Sequence, residues 1–341
     1  MLQELVRWLI SFILFNLKPI LQIILIPGLG FVMLYALIAV WFERKYLAHA
    51  MLRIGPLYAG KVAGWLQLIA DFLKLLTKEL IIPEDADKTF FYLAPILLPV
   101  IPSLAVALIP FSSDWILFKA GGLGLPAFFA IMGLVPLFPL LAGWASNNKY
   151  TMIGSIRAAY LYISAEIPLI ISAMGVAVLS GSFDLVKIVE AQSKVWFIIP
   201  QFVGFIAFFI GILAEAERTP FDIAVAEQEI VFGWRTEYTG VLFALTMMSE
   251  YVTLLAWILL LITLYLGGYH GPLIFGSLLA SRIGWMLIKL GIVTASIILM
   301  RTVFPRFRVD QALRIGWCYL TPLAIINIFL TLMLKTWGVW P

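Results

Sequence analysis

The chain has 341 residues, of which 63% are hydrophobic and 12% are charged, and its formal net charge at pH 7 is +4. An ordinary soluble domain is about 45–50% apolar and about 25% charged, so this composition excludes a soluble globular enzyme and a disordered chain. The single cysteine, Cys318, excludes an intrachain disulfide and a four-cysteine zinc or iron–sulfur site. The small net charge, with no basic stripe, predicts that the chain binds no nucleic acid. We therefore predict an all-α, polytopic membrane protein.

Eight segments are long and apolar enough to cross a bilayer, which takes about 20 residues of helix. They predict a single membrane domain over residues 1–341, with spans at about 21–42, 89–111, 124–145, 158–180, 195–214, 239–265, 283–300 and 316–337. Residues 1–20 are apolar but contain Arg7 and Lys18, which indicates an interfacial stretch or an extension of the first span. A cleavable signal peptide is the alternative, although no small-residue cleavage site precedes a polar mature start.

Basic residues in the loops predict the orientation of the chain in the plasma membrane. The loops after the first, third, fifth and seventh spans hold 15 Lys and Arg residues, and the opposite side holds 7. Because basic loops stay in the cytoplasm, these four loops should lie inside and both termini outside. Most of the excess comes from the loop 43–88, without which the two counts are 8 and 7.

The first loop contains an amphipathic helix. From Trp65 to Leu80 apolar residues recur at helical spacing, while Asp71, Lys74 and Lys78 fall on the other face. This pattern is typical of a helix that lies at the cytoplasmic membrane surface. Two interpretations remain open. The helix either rests on lipid alone or lies at the mouth of an internal site.

Three ionisable residues fall inside predicted spans: Glu166, Glu250 and Lys289. A charge at the centre of a bilayer costs about 2.5–3.5 kcal/mol on insertion scales, so such residues are functional candidates. The alternative is a structural interhelical pair or a snorkelling lysine. Snorkelling explains Glu166 poorly, because this residue lies about two helical turns from the predicted cytoplasmic end of its span.

The loop after the fifth span is the most densely charged stretch. It holds two arginines, Arg218 and Arg235, and six carboxylates, which are Glu215, Glu217, Asp222, Glu227, Glu229 and Glu237. Crowding of like charges and burial both raise carboxyl pKa values, so some of these groups can exchange protons near neutral pH. A solvated cytoplasmic loop is the alternative. The Pro220-Phe221 pair between Arg218 and Asp222 indicates a fixed turn and favours a built site.

Motifs for several other mechanisms are missing from the sequence. It has no Walker loop, which excludes an ATP-driven pump, and no strand followed by a dinucleotide-binding glycine motif. His49 and His270 lie on opposite sides of the predicted membrane and cannot jointly bind haem. We expect no metal site in this chain. Any redox cofactor must be held by another chain or diffuse in, as an amphipathic, lipid-soluble carrier does.

Several separated motifs occur in order along nearly the whole chain. They are Glu43-Arg44-Lys45, RIGP to ADFLKLLTKE (53–79), SNNKY (146–150), Arg157, SAEIP (164–168), AEAERTPFD (214–222), EQEIV (227–231), EYTG (237–240), SEY (249–251) and FPRFRVDQALRIGW (304–317). On these motifs the chain resembles the H-subunit family of respiratory complex I and of related archaeal quinone-reducing complexes. That family has eight spans with both termini outside, in agreement with the count above.

The resemblance implies a membrane subunit of a proton-translocating NADH (or other donor):quinone oxidoreductase. It implies a quinone chamber lined by Arg44, Arg53, Asp71, Arg218, Phe221 and Asp222. It also implies a carboxylate relay toward the pumping subunits, made of Glu43, Glu166, Glu215, Glu217, Glu227 and Glu229. The chain would hold no catalytic residue and no redox centre. Quinone would be the substrate, and partner subunits would carry the iron–sulfur clusters and flavin.

The resemblance further implies several kinds of partner. These are membrane lipid, peripheral iron–sulfur and quinone-site subunits, and antiporter-like and small membrane subunits. The chain departs from the family at Leu57, Leu68, Val225, Gln228 and within Trp234-Arg235-Thr236. Val225 removes one carboxylate, so the family's relay does not transfer one-to-one.

Two alternative functions remain open. The first is the equivalent subunit of an energy-converting hydrogenase, which reduces protons instead of quinone. The second is a stand-alone cation/proton antiporter, for which the sequence shows no convincing inverted repeat. The SNNKY loop and the Arg-Thr-Pro-Phe-Asp turn favour the quinone branch. The sequence leaves open whether the electron donor is NADH, a deazaflavin or ferredoxin, and it sets neither the quinone type nor the proton stoichiometry.

Overall fold

A computed structural model describes residues 22–24, 26–60, 64–113, 115–273 and 277–337. Within these residues the secondary structure is helical, apart from an isolated β-bridge between Ser112 and Trp115. The α-helices are α1 (Leu29–Ala50), α2 (Leu66–Thr77), α3 (Lys88–Val106), α4 (Gly124–Met132), α5 (Leu137–Ala145), α6 (Lys149–Ser180), α7 (Leu185–Ala191), α8 (Phe202–Glu215), α9 (Glu227–Ile230), α10 (Gly240–Tyr265), α11 (Leu278–Val303), α12 (Val309–Arg314) and α13 (Thr321–Thr336). Short 3₁₀ turns cover Gly121–Leu123 and Gly233–Arg235, and a π-helical turn covers Ile315–Leu320.

Seven helical stretches of the described residues are long and apolar enough to cross a membrane. They are Gln22–Ala50, Lys88–Val106, Gly121–Ala145, Lys149–Ser180, Gly240–Tyr265, Leu278–Val303 and Val309–Thr336. Each overlaps one of the predicted spans, which confirms the all-α, polytopic class. The remaining predicted span, 195–214, contains the shorter apolar helix α8 of 14 residues. Pro200 lies just before α8 and lacks the N–H that a longer helical ladder would need there.

The central helix of the bundle is α10. Residues 251–265 are all buried, and the helix packs against α1, α2, α3, α8 and α11. Trp257 contacts Phe128 and Phe208 with ring centroids 5.5 Å and 6.2 Å apart. A helix that is apolar and buried on every side contacts protein rather than lipid, so α10 forms the core around which the other helices assemble.

A buried polar network fixes the short helix α8 between α6 and α13. The Gln201 amide donates to the Gly175 carbonyl and to the Thr331 hydroxyl, each at 2.9 Å. The Asn327 amide donates to the Gln201 side-chain oxygen at 2.8 Å. Such interhelical hydrogen bonds hold helices together where no water can compete. They fix the start of α8, whose last residue, Glu215, belongs to the site described below.

Candidate functional site

Six buried or partly buried charged side chains of alternating sign lie at one end of the helix bundle. In spatial order they are Arg301, Glu43, Arg218, Glu250, Arg235 and Glu217, and we call this set the buried ion row. The row joins α1, α10 and α11 to the loop after α8 and to the turn before α10. Each charge is followed by one of opposite sign, which is how charges persist in a low-dielectric interior.

Direct ion pairs connect the members of the row. The Arg218 Nη1 donates to Glu43 Oε1 at 2.8 Å, and its Nη2 lies 3.6 Å from Glu250 Oε2. Arg301 also pairs with Glu43, and Arg235 pairs with Glu250. Arg235 Nη2 lies 3.6 Å from Glu217 Oε2. Each guanidinium in the middle of the row is therefore shared between two carboxylates.

Aromatic rings support both central arginines. The Arg218 guanidinium lies 4.5 Å from the centroid of the Tyr251 ring, and Arg235 lies 4.5 Å from that of Trp234. A guanidinium on a ring face is held by cation–π attraction and keeps its planar fork oriented. Tyr251 follows Glu250 in the sequence, so one turn of α10 supplies both an anion and a ring to Arg218.

Two glycines place the Arg235 turn against α6. Gly233 has a φ of +59°, and a Cβ there would collide with the Ala224 carbonyl oxygen. A Cβ on Gly154 of α6 would lie 2.6 Å from the Trp234 backbone nitrogen. Backbone can approach backbone this closely only where glycine is present, so this contact fixes the position of the Arg235 backbone.

Beyond Arg235 the row borders a small cavity. The cavity is lined by Leu98, Tyr162, Glu215, Ala216, Glu217, Trp234, Arg235, Ser249, Glu250 and Thr253. Its volume is about 10 Å³, which is room for about one water. Among the described residues, five buried polar atoms of its lining have no hydrogen-bond partner at normal distance: Glu215 Oε1, Glu217 Oε1 and Oε2, Trp234 Nε1 and Arg235 Nε. The Tyr162 hydroxyl is the donor that acts on Glu217.

The pKa of Glu217 is shifted into the neutral range. Burial raises the pKa of Glu217 to about 7, while the nearby Arg235 guanidinium acts in the opposite direction and the Glu250 carboxylate adds to the rise. The residue has a φ of +48°, an uncommon conformation for a residue with a side chain. This strained backbone position turns the carboxylate toward the cavity lining.

Glu166 of α6 extends the line of carboxylates past Glu215. Its charge acts on the Glu215 carboxyl, so the two groups lie near each other. Gly133, at the end of α4, leaves room for it, since a Cβ on Gly133 would lie 2.8 Å from Glu166 Oε1. Of the predicted chamber and relay residues, Glu43, Arg218 and Glu217 therefore lie in the row, and Glu215 and Glu166 lie beside it.

Other predicted chamber residues form pairs outside the row. Arg44 pairs with Asp71 of α2, and Gln67 donates to the same carboxylate at 2.9 Å. Partial burial raises the pKa of Asp71, but the hydrogen bonds from Arg44 and Gln67 outweigh it and lower this pKa overall. Two further members lie in the Pro-Phe turn, where Asp222 accepts from Arg306 at 2.7 Å and Phe221 packs on Phe307 at 5.5 Å.

The remaining predicted residues do not join the row. Arg53 is exposed. Glu229 is 58% exposed and accepts from Arg157 at 2.6 Å. The side chain of Glu227 lies outside the described residues. Within the described residues, no group of three or more His, Cys, Asp or Glu side chains could hold a metal ion.

Sequence reasoning misses three members of the row as site residues. It marks Glu250 only as an intramembrane charge, although the insertion cost of this charge signals a cationic partner. It treats Arg235 as one charge of a crowded loop, and it counts Arg301 only among the basic residues of the loop after the seventh span. No periodicity in the sequence pairs residues from α1, α10 and α11, so these pairings appear only in three dimensions.

Lys289, the third intramembrane charge, has a structural environment at the other end of α10. Its Nζ donates to the carbonyls of Leu266, Gly268 and His270 at 2.7, 2.7 and 2.8 Å. It also lies 4.6 Å from the centroid of the Trp196 ring. Leu266 caps the end of α10, and the other two carbonyls belong to the turn that follows, so this cation satisfies their lone pairs and opposes the helix dipole. These contacts favour the structural interpretation of Lys289.

Comparisons with known proteins agree on one family. The family model described as NADH dehydrogenase matches residues 21–332. A protein from Geobacillus sp. (strain WCH70), named as the H subunit of an NADH-quinone oxidoreductase, is 43% identical over 319 residues, which cover 92% of this chain and 95% of the relative. A protein of the same name from Bacillus cytotoxicus is 43% identical over 335 residues, or 98% of each chain. This chain therefore belongs to the NADH dehydrogenase family of membrane subunits.

Proposed function

We propose that this chain is the H-type membrane subunit of an NADH:quinone oxidoreductase and that the buried ion row borders its quinone chamber. The names of relatives that match over nearly their whole length support the first part. The row supports the second part. Six buried or partly buried charges at one end of an apolar bundle are costly, so they indicate a functional site rather than a solvated loop.

Two of the chamber groups lie on the side of the row that faces the first loop. The Arg44–Asp71 pair ties α2 to the end of α1, and α2 also packs on α10. Arg218 and the turn of Phe221 and Asp222 would form the inner wall, while the exposed Arg53 would lie toward the entrance. A lipid-soluble quinone could enter along the apolar face of α2, which is the second of the two interpretations of that helix.

Reduction of a quinone to a quinol takes two electrons and two protons. The electrons would come from an iron–sulfur cluster on a partner subunit, which in turn would receive them through a flavin. A change of charge in a low-dielectric chamber acts strongly on nearby carboxylates. Glu43, Glu217, Glu215 and Glu166 would pass that change along the membrane toward antiporter-like subunits. Glu227 and Glu229 would serve at the cytoplasmic surface.

The same proposal sets the orientation of the chain. Five of the six residues of the row come from the loops 43–88, 215–238 and 301–315, which together hold 13 Lys and Arg residues. We place this end in the cytoplasm, where peripheral iron–sulfur and quinone-site subunits would dock, and both termini outside. Lipid and small membrane subunits would cover the exposed apolar side chains of α11 and α13.

Gentle purification with identification of the co-purifying chains tests the assembly. Iron–sulfur and antiporter-like subunits would support the proposal. A nickel–iron subunit would indicate the hydrogenase instead, and a solitary homodimer would contradict both.

Two variants test the chamber. Glu215→Gln and Arg218→Met should depress quinone-coupled turnover in complexes that still assemble. Arg308→Gln, which changes an arginine that is 81% exposed, serves as the control. Unaltered turnover in assembled Glu215→Gln and Arg218→Met complexes would refute the chamber assignment.

A further inference from the structure

The two ends of the buried ion row differ in how well their carboxylates are compensated. Glu43 pairs with two guanidinium groups, Arg218 and Arg301. In the described part of the chain Glu217 forms one ion pair, at 3.6 Å from Arg235, and besides it the Tyr162 hydroxyl stabilises the Glu217 carboxylate. Arg235 also pairs more closely with Glu250. Glu217 is therefore the less neutralised carboxylate of the row.

Arg235 cannot move away to serve another group. Its guanidinium is held by Glu250, by the Trp234 ring and by the Met247 sulfur at 3.5 Å from Nη1. Its backbone is fixed by the glycine contact between α6 and the Gly233 turn. Its charge therefore acts on Glu217 from a constant position, without a direct hydrogen bond that would bind the carboxylate permanently.

Several other groups face Glu217, one from each element packed around it. They are the Tyr162 hydroxyl of α6, the Glu215 carboxyl of α8, Asp222 of the Pro-Phe turn, Glu250 of α10 and the adjacent Arg218. The carboxylates among them disfavour a negative charge on Glu217, and burial does so as well. Arg235, which is ion-paired with Glu217, opposes them most strongly, and the Tyr162 hydroxyl adds a smaller effect in the same direction.

We propose that Arg235 is a positioning residue that keeps Glu217 as the proton-exchanging carboxylate of the row, with Glu215 as its partner across the cavity. The inference deepens the proposed function, because it assigns proton exchange to one pair within the suggested relay. Without the fixed cation, Glu217 would hold its proton throughout the physiological range. With a second cation, as at Glu43, it would remain ionised.

The cavity between the carboxyl groups of Glu217 and Glu215 supplies the path for the proton. It has room for about one water and is lined by unpartnered oxygens of both glutamates. A water there can accept the proton of Glu217 while it donates one of its own to the Glu215 carboxylate. The number of protons in the cavity is unchanged, and the charge moves from one glutamate to the other. The free Nε of Arg235 and Nε1 of Trp234 are donors that can orient this water.

Infrared difference spectroscopy of the whole purified complex tests the inference without turnover. The carbonyl stretch of protonated carboxyl groups is followed from pH 5 to pH 9, with neither electron donor nor quinone present. In the wild-type complex a component of this band should disappear with a midpoint near pH 7. Glu217→Gln should abolish that component, and Arg235→Gln should move its midpoint upward by at least about one pH unit.

Arg235→Lys keeps the charge and should hold the midpoint within about half a pH unit of the wild-type value. Arg282→Gln makes the same change at another arginine that lies over an aromatic ring, 5.2 Å from Tyr269, and should leave the component unaltered. The inference is wrong if the component survives Glu217→Gln or if its midpoint is the same in Arg235→Gln. If Arg235→Gln does not assemble, a midpoint in Arg235→Lys displaced by more than one unit contradicts it.

The two proposals can fail separately. Normal quinone turnover in Arg218→Met would refute the chamber assignment, and the infrared result would remain valid. An infrared component whose midpoint does not change in Arg235→Gln would refute this inference and leave the chamber assignment unaffected.

Discussion

The Arg218 guanidinium donates to the Glu43 carboxylate at 2.8 Å, although 175 residues separate the two in the sequence. Both side chains are buried, at 7% and 4% exposure. The pair ties the end of α1 to the turn after α8, so the charged loop is built into the helix bundle. Removal of one partner of such a pair leaves an uncompensated buried charge, which typically costs about 3–5 kcal/mol.

We therefore expect Arg218→Met to destabilise the purified complex by about 3–5 kcal/mol, measured as a lower temperature of half-unfolding. The double variant Glu43→Gln/Arg218→Met should recover part of this loss, since it removes the unpaired anion as well. Arg308→Gln should change stability by about 0.5 kcal/mol or less. A double variant that is as unstable as the sum of its single variants would show that the pair is not coupled.

The raised pKa of Glu217 predicts a dependence of stability on pH. An unfolded glutamate releases its proton near pH 4.5, whereas the buried one releases it near pH 7. Between these values the folded state binds more protons than the unfolded state, so stability falls as the pH rises, by at most about 3 kcal/mol. Glu217→Gln should remove this decline, and the stability difference between variant and wild type should grow from pH 5 to pH 7. Glu84→Gln, at an exposed glutamate, should show no such growth.

The contact between Gly133 and Glu166 predicts a steric effect on the relay. The methyl group of Gly133→Ala would lie 2.8 Å from Glu166 Oε1, so the carboxylate must turn away. If Glu166 passes on a charge change, turnover should fall about tenfold, equivalent to about 1.4 kcal/mol. Gly291→Ala is the matched control, because a Cβ there meets no atom within 4 Å. Equal turnover in the two variants would argue against a role for the position of Glu166.

The environment of Lys289 predicts a structural effect without a functional one. Lys289→Met leaves three carbonyls at the end of α10 without their charged donor, which should cost about 3 kcal/mol of stability. In complexes that assemble, the pH profile of turnover should match that of the wild type. Lys335→Met, which removes a single exposed contact to the Val178 carbonyl, should have a much smaller effect. A changed pH profile in Lys289→Met would instead indicate a proton-carrying lysine.

The Arg44–Asp71 pair predicts an effect on function with little effect on stability. It is partly exposed, so its loss should cost about 1 kcal/mol or less of stability. If the pair shapes the chamber entrance, Asp71→Asn should raise the KM for quinone while kcat changes little. Thermal unfolding and quinone titrations of one preparation separate the two effects. A normal KM would assign α2 to the membrane surface alone.

Hydropathy could predict the membrane-spanning helices because a bilayer allows few backbone conformations. Each apolar run must satisfy its own backbone hydrogen bonds, so the runs at 89–111, 239–265 and 283–300 could only be helices. The helix within the run at 195–214 was harder to predict. Its hydropathy says nothing about where the backbone turns, and α8 begins only at Phe202, seven residues into the run.

The site could be predicted only in part. Glu166 and Glu250 were recognisable because charge inside an apolar run is costly, and Arg218 because it precedes a Pro-Phe turn. The sharing of one arginine between two carboxylates was not recognisable. Arg235 reaches Glu250 and Glu217 because Gly233 and Gly154 bring two backbones together, and such close approach leaves no period in the sequence.

The central helix α10 is held at two levels. Glu250, in its interior, is bound to two arginines, and three carbonyls of the turn that follows the helix are bound to Lys289. An axial slip of one residue, about 1.5 Å, would strain both attachments at once. The helix therefore resists sliding along its own axis across the bilayer. A disturbance that begins among the charges must travel sideways, by reorientation of side chains from one helix to the next in the plane of the membrane.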